Sequence, residues 1–383
     1  MKITSLPEFS EPLAASLLEE ARTKRPDAVD LALQVARARA AMNRIDEARA
    51  LIHEVIAGAG MDAPRCVVAA DVLLGIQRAD EAAALLRQCE PAALAEPANV
   101  ATAVQTYLAA GDLDTAARVA ALAAQRHVDD PHVLEAQISV ARAQEDHERT
   151  LKLCADLLAR VPRRGAVRAQ QRRSRLSLDA AALSQSRSLN ELIRRDVLEP
   201  ATPAGEQPLA AALVAYLDTL EDWVWSPDQF STRDGDQYRE LVNSLSVRRE
   251  PVRRLLEAIT VAVGSFIAEA APRDPAWFEH PDLRAHLTSW VVRLPTGGGH
   301  GVHLHPSGWI SGVYCVQGDA SASGTQFGVT GPDGVFHVAR TEPVVPGEVV
   351  LFPSHLEHRV VPQEGEGVRI CIAFDVELHA ATD

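Results

Sequence analysis

The sequence lacks a CxxC motif, and its cysteines are few, scattered and odd in number: Cys66, Cys89, Cys154, Cys315 and Cys371. This pattern excludes the paired framework of a small disulfide-stabilised secreted protein and indicates reduced thiols. The N-terminus has no apolar core of the kind that a signal peptide carries. We therefore expect a cytoplasmic protein.

Long apolar runs are also missing. A membrane-spanning helix needs about twenty predominantly apolar residues, and the nearest approach, residues 255–271, is interrupted by Glu257 and Glu269. Basic residues are also outnumbered by acidic ones. The chain has 38 lysines and arginines and 52 aspartates and glutamates, which gives a formal net charge of −14. We therefore expect no membrane span and no general nucleic-acid binding, while the oligomeric state stays open.

Tryptophan is absent from the first half of the chain, since all five tryptophans lie between Trp223 and Trp309. The first half is instead rich in alanine, leucine, arginine and glutamate, most of which favour helices. A chain of 383 residues is long enough for two domains. The change in composition predicts a helical N-terminal half and a C-terminal domain of different construction.

The N-terminal half repeats with a period of 34 residues. Four similar segments recur at this spacing: DEAR (46–49), DEAA (80–83), DTAA (114–117) and ERTL (148–151). One slot of each segment holds a small residue: Ala48, Ala82, Ala116 and Thr150. The period and the small residues resemble tetratricopeptide (TPR) repeats, which are stacked pairs of helices. The resemblance implies a TPR-like α-solenoid over residues 1–175, followed by a linker or capping helix over 176–207.

A stacked array of this kind can present a concave groove, which we expect to bind a peptide or protein substrate. The alternative is a surface for dimerisation, or for packing against the C-terminal domain. The arginine-rich stretch 160–175 is predicted to form a solvated helix face at the end of the array, with a site for an acidic ligand as the alternative.

Three histidines in the C-terminal half have the spacing of metal ligands. In an extended segment, residues i and i+2 point to the same face, so His303 and His305 are expected to project together. His358 follows a second apolar strand and a Pro-Ser turn. Two ligands close in sequence and one from a distant strand can hold a metal at the mouth of a β-barrel. Imidazole ligands favour iron, copper, nickel or zinc over magnesium and calcium.

The runs HLHPSGWISGVYCV (303–316), PGEVVLFPSHLEHRVVP (346–362) and VRICIAFDV (368–376) resemble the 2-oxoglutarate/Fe(II)-dependent oxygenases. The resemblance covers about residues 205–378. It implies a double-stranded β-helix (jelly-roll) domain over 208–383, with Fe(II), 2-oxoglutarate and O₂ as cofactor and co-substrates. The fold class is therefore a multidomain one, with an α-solenoid followed by an α+β unit in which helices support the jelly roll.

The same resemblance assigns roles to seven residues. His303, His305 and His358 are the implied iron ligands. Arg369, on the strand after His358, is the implied anchor for the far carboxylate of 2-oxoglutarate, a task that suits a planar bidentate cation. The co-substrate pocket is expected to be lined by Ser311, Tyr314 and Cys371 as well.

Two positions depart from the pattern of the family. His305 stands where an aspartate is commoner, and a neutral third ligand leaves the site one unit more positive, which should weaken its hold on Fe(II). Cys315 and Cys371 stand where the relatives tend to have tyrosine and serine. Cys371 lies two residues after Arg369 and is expected to share its inward face.

Five other histidines are expected to be ordinary surface or core residues: His280, His286, His300, His337 and His355. The predicted activity is hydroxylation of a C–H bond in a peptide, a protein or a small molecule. Two alternatives remain open at this point. One is a cupin-like metalloenzyme that binds the same three histidines without using 2-oxoglutarate. The other is a non-catalytic TPR scaffold whose barrel is vestigial.

Overall fold

A computed structural model describes residues 3–58, 61–179, 191–198, 207–227, 230–278, 283–321 and 323–380. The chain forms two compact units: Leu13–Val161, and Met1–Pro12 together with Pro162–Asp383. His280 and most of the predicted linker, including its proline-rich part at 199–205, lie outside the described residues. Within the described ranges, no helix is long and apolar enough to cross a bilayer.

The first unit is helical throughout its described part. Its helices are α1 (Glu11–Lys24), α2 (Val29–Ala41), α3 (Ile45–Gly58), α4 (Ala63–Gly75), α5 (Ala79–Leu86), α6 (Pro91–Leu94), α7 (Pro97–Ala109), α8 (Leu113–Arg126), α9 (Pro131–Ala143) and α10 (His147–Arg160). They pack as antiparallel pairs, α2 with α3, α4 with α5, α7 with α8 and α9 with α10. The first helices of successive pairs also contact one another, so one apolar core runs through the pairs.

The 34-residue period of the sequence reappears in the geometry of this unit. The four residues of the small slot, Ala48, Ala82, Ala116 and Thr150, are all fully buried. Four residues at the turns between paired helices have a left-handed backbone, and they are also 34 residues apart: Asn43, Gln77, Gly111 and Glu145. Because such a residue ends a helix and redirects the chain, each turn repeats the same reversal.

The second unit is built on two antiparallel sheets. Its strands are β1 (Ile3–Ser5), β2 (Arg194–Val197), β3 (Val224–Trp225), β4 (Thr232–Arg233), β5 (Asp236–Arg239), β6 (Leu283–Leu294), β7 (Gly299–His303), β8 (Ile310–Gln317), β9 (Gly324–Thr330), β10 (Phe336–Pro343), β11 (Glu348–Pro353), β12 (Glu357–Val360) and β13 (Arg369–Ala380). The larger sheet has the order β2-β11-β8-β13-β6-β5-β3, and β1 pairs in parallel with β6. The smaller sheet has the order β10-β9-β12-β7-β4.

The connections alternate between the two sheets in the manner of a jelly roll. Of the eight strands β6 to β13, the first, eighth, third and sixth are neighbours in the larger sheet. The second, seventh, fourth and fifth are neighbours in the smaller sheet. This interleaving brings residues that are far apart in sequence together between the sheets.

Helices cover the outer face of the larger sheet, as the sequence predicts. They are α12 (Leu209–Leu217), α13 (Glu250–Ala270) and α14 (Pro275–Phe278). Leu255, Ile259, Val263 and Phe266 form a buried stripe along α13, which joins the apolar core of the outer face. Tyr314 belongs to this core and is fully buried in it.

The helix α11 (Gly165–Leu178) differs from the sequence prediction in two respects: the unit to which it belongs, and the contacts of its arginines. It belongs to the second unit, although the sequence placed the end of the helical array at residue 175. Two of its arginines have partners within the fold instead of forming part of a solvated face: Arg172 donates to His355 Nδ1 at 3.0 Å, and Arg173 forms an ion pair with Glu357. Glu357 is buried, so its carboxylate requires partners within the fold, and helix α11 supplies one.

We expect the substitution Arg173→Ala to lower the free energy of unfolding of the second unit by about 1–3 kcal/mol, because a buried carboxylate loses its charged partner. Glu357 would keep only its bonds from the backbone and hydroxyl of Thr330. Calorimetric melting of the full chain measures the effect. Arg175→Ala, at an exposed position of the same helix, is the matched control and should change stability by less than about 0.5 kcal/mol. Equal losses in both variants would contradict the assigned role.

Candidate metal centre

Three histidines converge between the two sheets. His303 is the last residue of β7, and its antiparallel partner across the ladder is His358 of β12. Their ring centroids are 4.2 Å apart. His305 follows two residues after His303, and its backbone N–H donates to Ser354 O at 3.0 Å, which fixes the turn of the chain there. One ring nitrogen from each of the three histidines lies within 4.8 Å of the others.

Backbone carbonyls determine the tautomer of two of these rings. His303 Nδ1 lies 2.8 Å from Gly301 O, and His358 Nδ1 lies 3.0 Å from Leu356 O. A carbonyl oxygen can only accept, so each Nδ1 carries the proton and donates it. The lone pair of each neutral ring is therefore on Nε2, the remaining nitrogen.

A carboxylate orients the third ring. His305 Nδ1 lies 2.7 Å from Asp375 Oδ1, and the Ser311 hydroxyl donates to the same carboxylate oxygen at 2.6 Å. Both Asp375 and Ser311 are buried. A carboxylate that accepts from Nδ1–H of a metal-binding histidine fixes the ring and raises its basicity. The carboxylate that an aspartate ligand would bring to the metal is thus present behind His305, in hydrogen-bonding contact with that ring.

The protonation of the rings suits metal binding. Desolvation lowers the pKa of His358 well below its usual value, and repulsion by His303 and His305 lowers it further. Desolvation also lowers the pKa of His303 to about 4. Both imidazoles are therefore neutral at neutral pH, which is the form that binds a metal. The ring nitrogens of His303 and His358 that face each other therefore carry lone pairs without a hydrogen between them, and a cation satisfies both. This donor set therefore fits an iron ion.

A buried guanidinium lies in the same cavity as the three histidines. Arg369, the first residue of β13, donates from Nη1 to Ser323 Oγ at 3.0 Å and from Nη2 to Thr325 Oγ1 at 3.3 Å. Its Nε donates to Cys371 Sγ at 3.2 Å. The arginine is 3 % exposed, and among the described residues no carboxylate forms an ion pair with it. A buried cation held only by neutral or weakly acidic groups is suited to binding a carboxylate ligand.

The cavity has a volume of about 460 Å³. Its wall includes the three histidines, Arg369, Cys371 and the apolar side chains Val292, Leu294 and Val360. Elsewhere in the wall, Arg239 lies over the rings of Phe230 and Trp290, with distances of 4.4 and 5.3 Å to the ring centroids. The space is larger than 2-oxoglutarate alone requires, and it offers a charged and aromatic wall to a second molecule.

Two residues predicted to line the pocket do not line it. Tyr314 lies on the other face of β8, in the core beneath the helices. Ser311 and Tyr314 are three residues apart on one strand, and an odd spacing places them on opposite faces. Ser311 lies behind His305, where it contacts Asp375 instead of the cavity. Cys371 does line the cavity, beside Arg369.

His300 and His355 were both predicted to be ordinary surface or core residues, and the structure places them in two different environments. His300 lines the cavity, and its Nε2 lies 3.0 Å from Thr232 Oγ1. His355 is a buried core residue beneath the edge of Trp277. Asp375, which contacts His305, was missed by the sequence analysis. The sequence did contain a signal for Asp375. Arg369, Cys371 and Asp375 are separated by even numbers of residues on one strand, so their side chains are expected on the same face.

We expect Asp375→Ala to weaken Fe(II) binding by about 10- to 100-fold, the usual effect of removing a carboxylate that orients a ligand histidine. Asp375→Asn, which keeps an acceptor oxygen, should show a smaller loss. Glu377→Gln is the matched control, since Glu377 lines the same cavity two residues further along β13. Anaerobic Fe(II) titration measures all three variants. An unchanged affinity of Asp375→Ala would show that His305 is not held as a ligand.

Comparisons with known proteins give a family match for the region that contains this site. Residues 288–375 match the family model described as "Putative 2OG-Fe(II) oxygenase". No protein of curated function matches the chain. Among solved structures, similar ones include a prolyl-4-hydroxylase from Pseudomonas putida, with 15 % identity over 51 % of this chain and 98 % of that chain, and a TM-score of 0.34.

Two further solved structures are similar to this chain. An oxidoreductase of the 2OG-Fe(II) oxygenase family from Burkholderia pseudomallei has 14 % identity over 51 % of this chain and 90 % of that chain, with a TM-score of 0.34. HygX from Streptomyces hygroscopicus, solved with nickel and 2-oxoglutarate bound, has 12 % identity over 50 % and 86 %, with a TM-score of 0.33. The family model that matches residues 288–375 describes oxygenases that use Fe(II), 2-oxoglutarate and O₂, and the three histidines within that range offer a candidate site for the metal.

Proposed function

We propose that the protein is an Fe(II)- and 2-oxoglutarate-dependent oxygenase that hydroxylates a C–H bond. The observation that carries this proposal is the pairing of two features in one cavity. Three imidazoles place one ring nitrogen each close to the others, and a buried guanidinium that pairs with no carboxylate of the described ranges lines the same space. The first feature suits a metal ion, and the second suits the far carboxylate of 2-oxoglutarate.

In this proposal each residue has a defined task. His303, His305 and His358 hold the iron through Nε2, and Asp375 keeps His305 in its orientation. Arg369 takes the far carboxylate. When bound, iron and 2-oxoglutarate supply the oxidising chemistry, in which 2-oxoglutarate and O₂ become succinate and CO₂ and one oxygen atom enters the substrate. The apolar wall of the cavity limits the access of water to the reacting groups.

We infer that the substrate is a peptide or protein, with a small molecule as the alternative. We interpret the helical unit as a TPR-like array within the first 175 residues. This unit would bind the part of a large substrate that does not enter the cavity. The repeated turn geometry supports this interpretation of the unit. The aromatic and charged wall formed by Phe230, Arg239 and Trp290 is the surface on which a substrate side chain would lie. The free thiols suit a reducing compartment such as the cytoplasm.

The proposal is tested by reconstituting the purified protein with Fe(II) under anaerobic conditions and then adding 2-oxoglutarate and O₂. We expect succinate to form, and we expect its formation to require both iron and 2-oxoglutarate. A chelator provides the control for metal dependence. Absence of iron uptake would contradict the proposal. Metal binding that is indifferent to 2-oxoglutarate would instead support the cupin-like alternative. Products of a substrate screen should carry one additional oxygen atom by mass spectrometry.

A further inference from the structure

Two cysteines face each other in the wall of the pocket. Cys371 on β13 is the direct cross-strand partner of Cys315 on β8, and both are buried. Directly opposed residues of antiparallel strands have Cα atoms about 4.5–5.5 Å apart. A disulfide needs a Cα separation of about 4.4–6.8 Å. The two side chains pack together with Val344 in one buried cluster. This pair can therefore close a disulfide without a rearrangement of the sheet.

The two thiols have different chemical environments. Cys371 accepts a hydrogen bond from Arg369 Nε at 3.2 Å, and the contact with Cys315 together with this guanidinium holds the pKa of Cys371 to about 6 in spite of burial. The same contact with Cys371, together with burial, raises the pKa of Cys315. The pair thus contains one thiolate and one thiol at neutral pH. Cys371 also lines the open cavity, through which a small oxidant can reach it.

We propose that Cys315 and Cys371 are a peroxide-sensitive dithiol that closes to a disulfide and thereby weakens the binding of 2-oxoglutarate. The chemical step involves only this pair and a peroxide. The Cys371 thiolate attacks one oxygen of hydrogen peroxide, the O–O bond breaks, and a sulfenic acid and a hydroxide ion form. The Cys315 sulfur then attacks the sulfenic sulfur, and its proton leaves with the displaced oxygen as water. One thiolate, one thiol and one peroxide give one disulfide, one hydroxide ion and one water.

The effect on 2-oxoglutarate follows from the position of Arg369, and this part rests on the proposed function. The guanidinium is held on three sides, by Ser323, Thr325 and the Cys371 sulfur. Closure of the disulfide draws that sulfur towards Cys315 and replaces a thiolate acceptor by a poor one. Nε then loses its partner, and the guanidinium loses the contact that fixes its plane towards the cavity. Conversely, bound 2-oxoglutarate should block the approach of peroxide to Cys371.

The helical unit contains a second pair of neighbouring thiols, which serves as an internal comparison. Cys66 and Cys89 both belong to the apolar core of that unit, and burial raises the pKa of Cys89 to about 12. Unlike Cys371, Cys89 therefore supplies no thiolate to begin the reaction. If proximity alone decided the oxidation, both pairs would react alike.

The first test maps the disulfide on metal-free full-length protein, so that no iron reacts with the peroxide. We expect equimolar hydrogen peroxide, followed by thiol blocking and peptide mass mapping, to give a Cys315–Cys371 linked peptide before any Cys66–Cys89 peptide. Cys315→Ser should give no linked peptide at this site, and Cys89→Ser should leave the site unaffected. Reaction at Cys66–Cys89 first, or reduced Cys315 and Cys371 after treatment, would overturn the proposal.

The second test measures 2-oxoglutarate binding by calorimetry with Zn²⁺, which has no redox chemistry, in place of iron. We expect the oxidised protein to bind about tenfold more weakly than the reduced protein, as the loss of one charged hydrogen bond implies. Dithiothreitol should restore the affinity. Equal or tighter binding by the oxidised protein would overturn the regulatory effect. Failure of every form to bind 2-oxoglutarate would contradict the proposed function instead, and it would leave the mapped disulfide intact.

Discussion

Replacing His358 by alanine is expected to lower the affinity for Fe(II) by more than about a hundredfold, and to abolish succinate formation with it. A residue that only orients a ligand already contributes about 10- to 100-fold, and His358 is proposed to be a ligand itself. It is the most enclosed of the three imidazoles, packed against Phe327 and Phe352. Anaerobic Fe(II) titration of the variant gives the change in affinity directly.

The control for this prediction is His300→Ala. His300 lines the same cavity, its ring centroid is 5.6 Å from that of His303, and desolvation lowers its pKa well below the usual value. Its Nε2 is engaged with Thr232, so it is not expected to bind the ion. The variant should keep its Fe(II) affinity within about threefold. His303→Ala, at a more accessible position, repeats the test where folding is less at risk. An equal loss in His300→Ala would mean that the iron site is placed wrongly.

The second large effect is expected for Arg369→Lys, which should weaken 2-oxoglutarate binding by about a hundredfold while leaving Fe(II) affinity unchanged. Truncating one partner of a buried charged pair costs about 2–5 kcal/mol, and each 1.4 kcal/mol is tenfold in affinity. Lysine keeps the charge, but one ammonium cannot contact Ser323, Thr325 and a bidentate carboxylate in one plane. Calorimetric titration with 2-oxoglutarate in the presence of Zn²⁺ measures the loss.

Arg359→Lys is the matched control for that substitution. Arg359 is on the neighbouring strand β12, where it contacts Gln326 and the ring of Phe336 outside the cavity. Its replacement should leave the affinity for 2-oxoglutarate unchanged. If Arg369→Lys bound 2-oxoglutarate as tightly as the unaltered protein, the carboxylate anchor would have to be sought elsewhere.

Features that depend on local periodicity were predictable from the sequence. The two-residue spacing of His303 and His305 and the 34-residue spacing of the small slot both reappear in the structure. The prediction that Tyr314 lines the pocket was wrong, because the alternation of side chains between the two faces of a strand was not applied from Ser311 onwards. Both residues lie on β8, and the odd spacing alone places the tyrosine beneath the helices.

Features that depend on pairing across the fold were not predictable from local pattern. The arginines of α11 were predicted to form a solvated face because the partners that they have in the structure are not near them in the sequence. Their partners, His355 and Glu357, are more than 180 residues away and become neighbours only when the sheet forms. The same holds for Asp375 and His305, which are 70 residues apart. The pairing of β13 with β8 places Asp375 opposite Ser311, and Ser311 contacts both of them. Long-range register decides such contacts.

The most direct test of the central claim is anomalous diffraction at the iron absorption edge, from crystals grown anaerobically with Fe(II) and 2-oxoglutarate. We predict one iron atom bound by Nε2 of His303, His305 and His358, with the far carboxylate of 2-oxoglutarate on Arg369. Iron bound through an oxygen of Asp375 in place of His305, or 2-oxoglutarate bound away from Arg369, would contradict this account of the site.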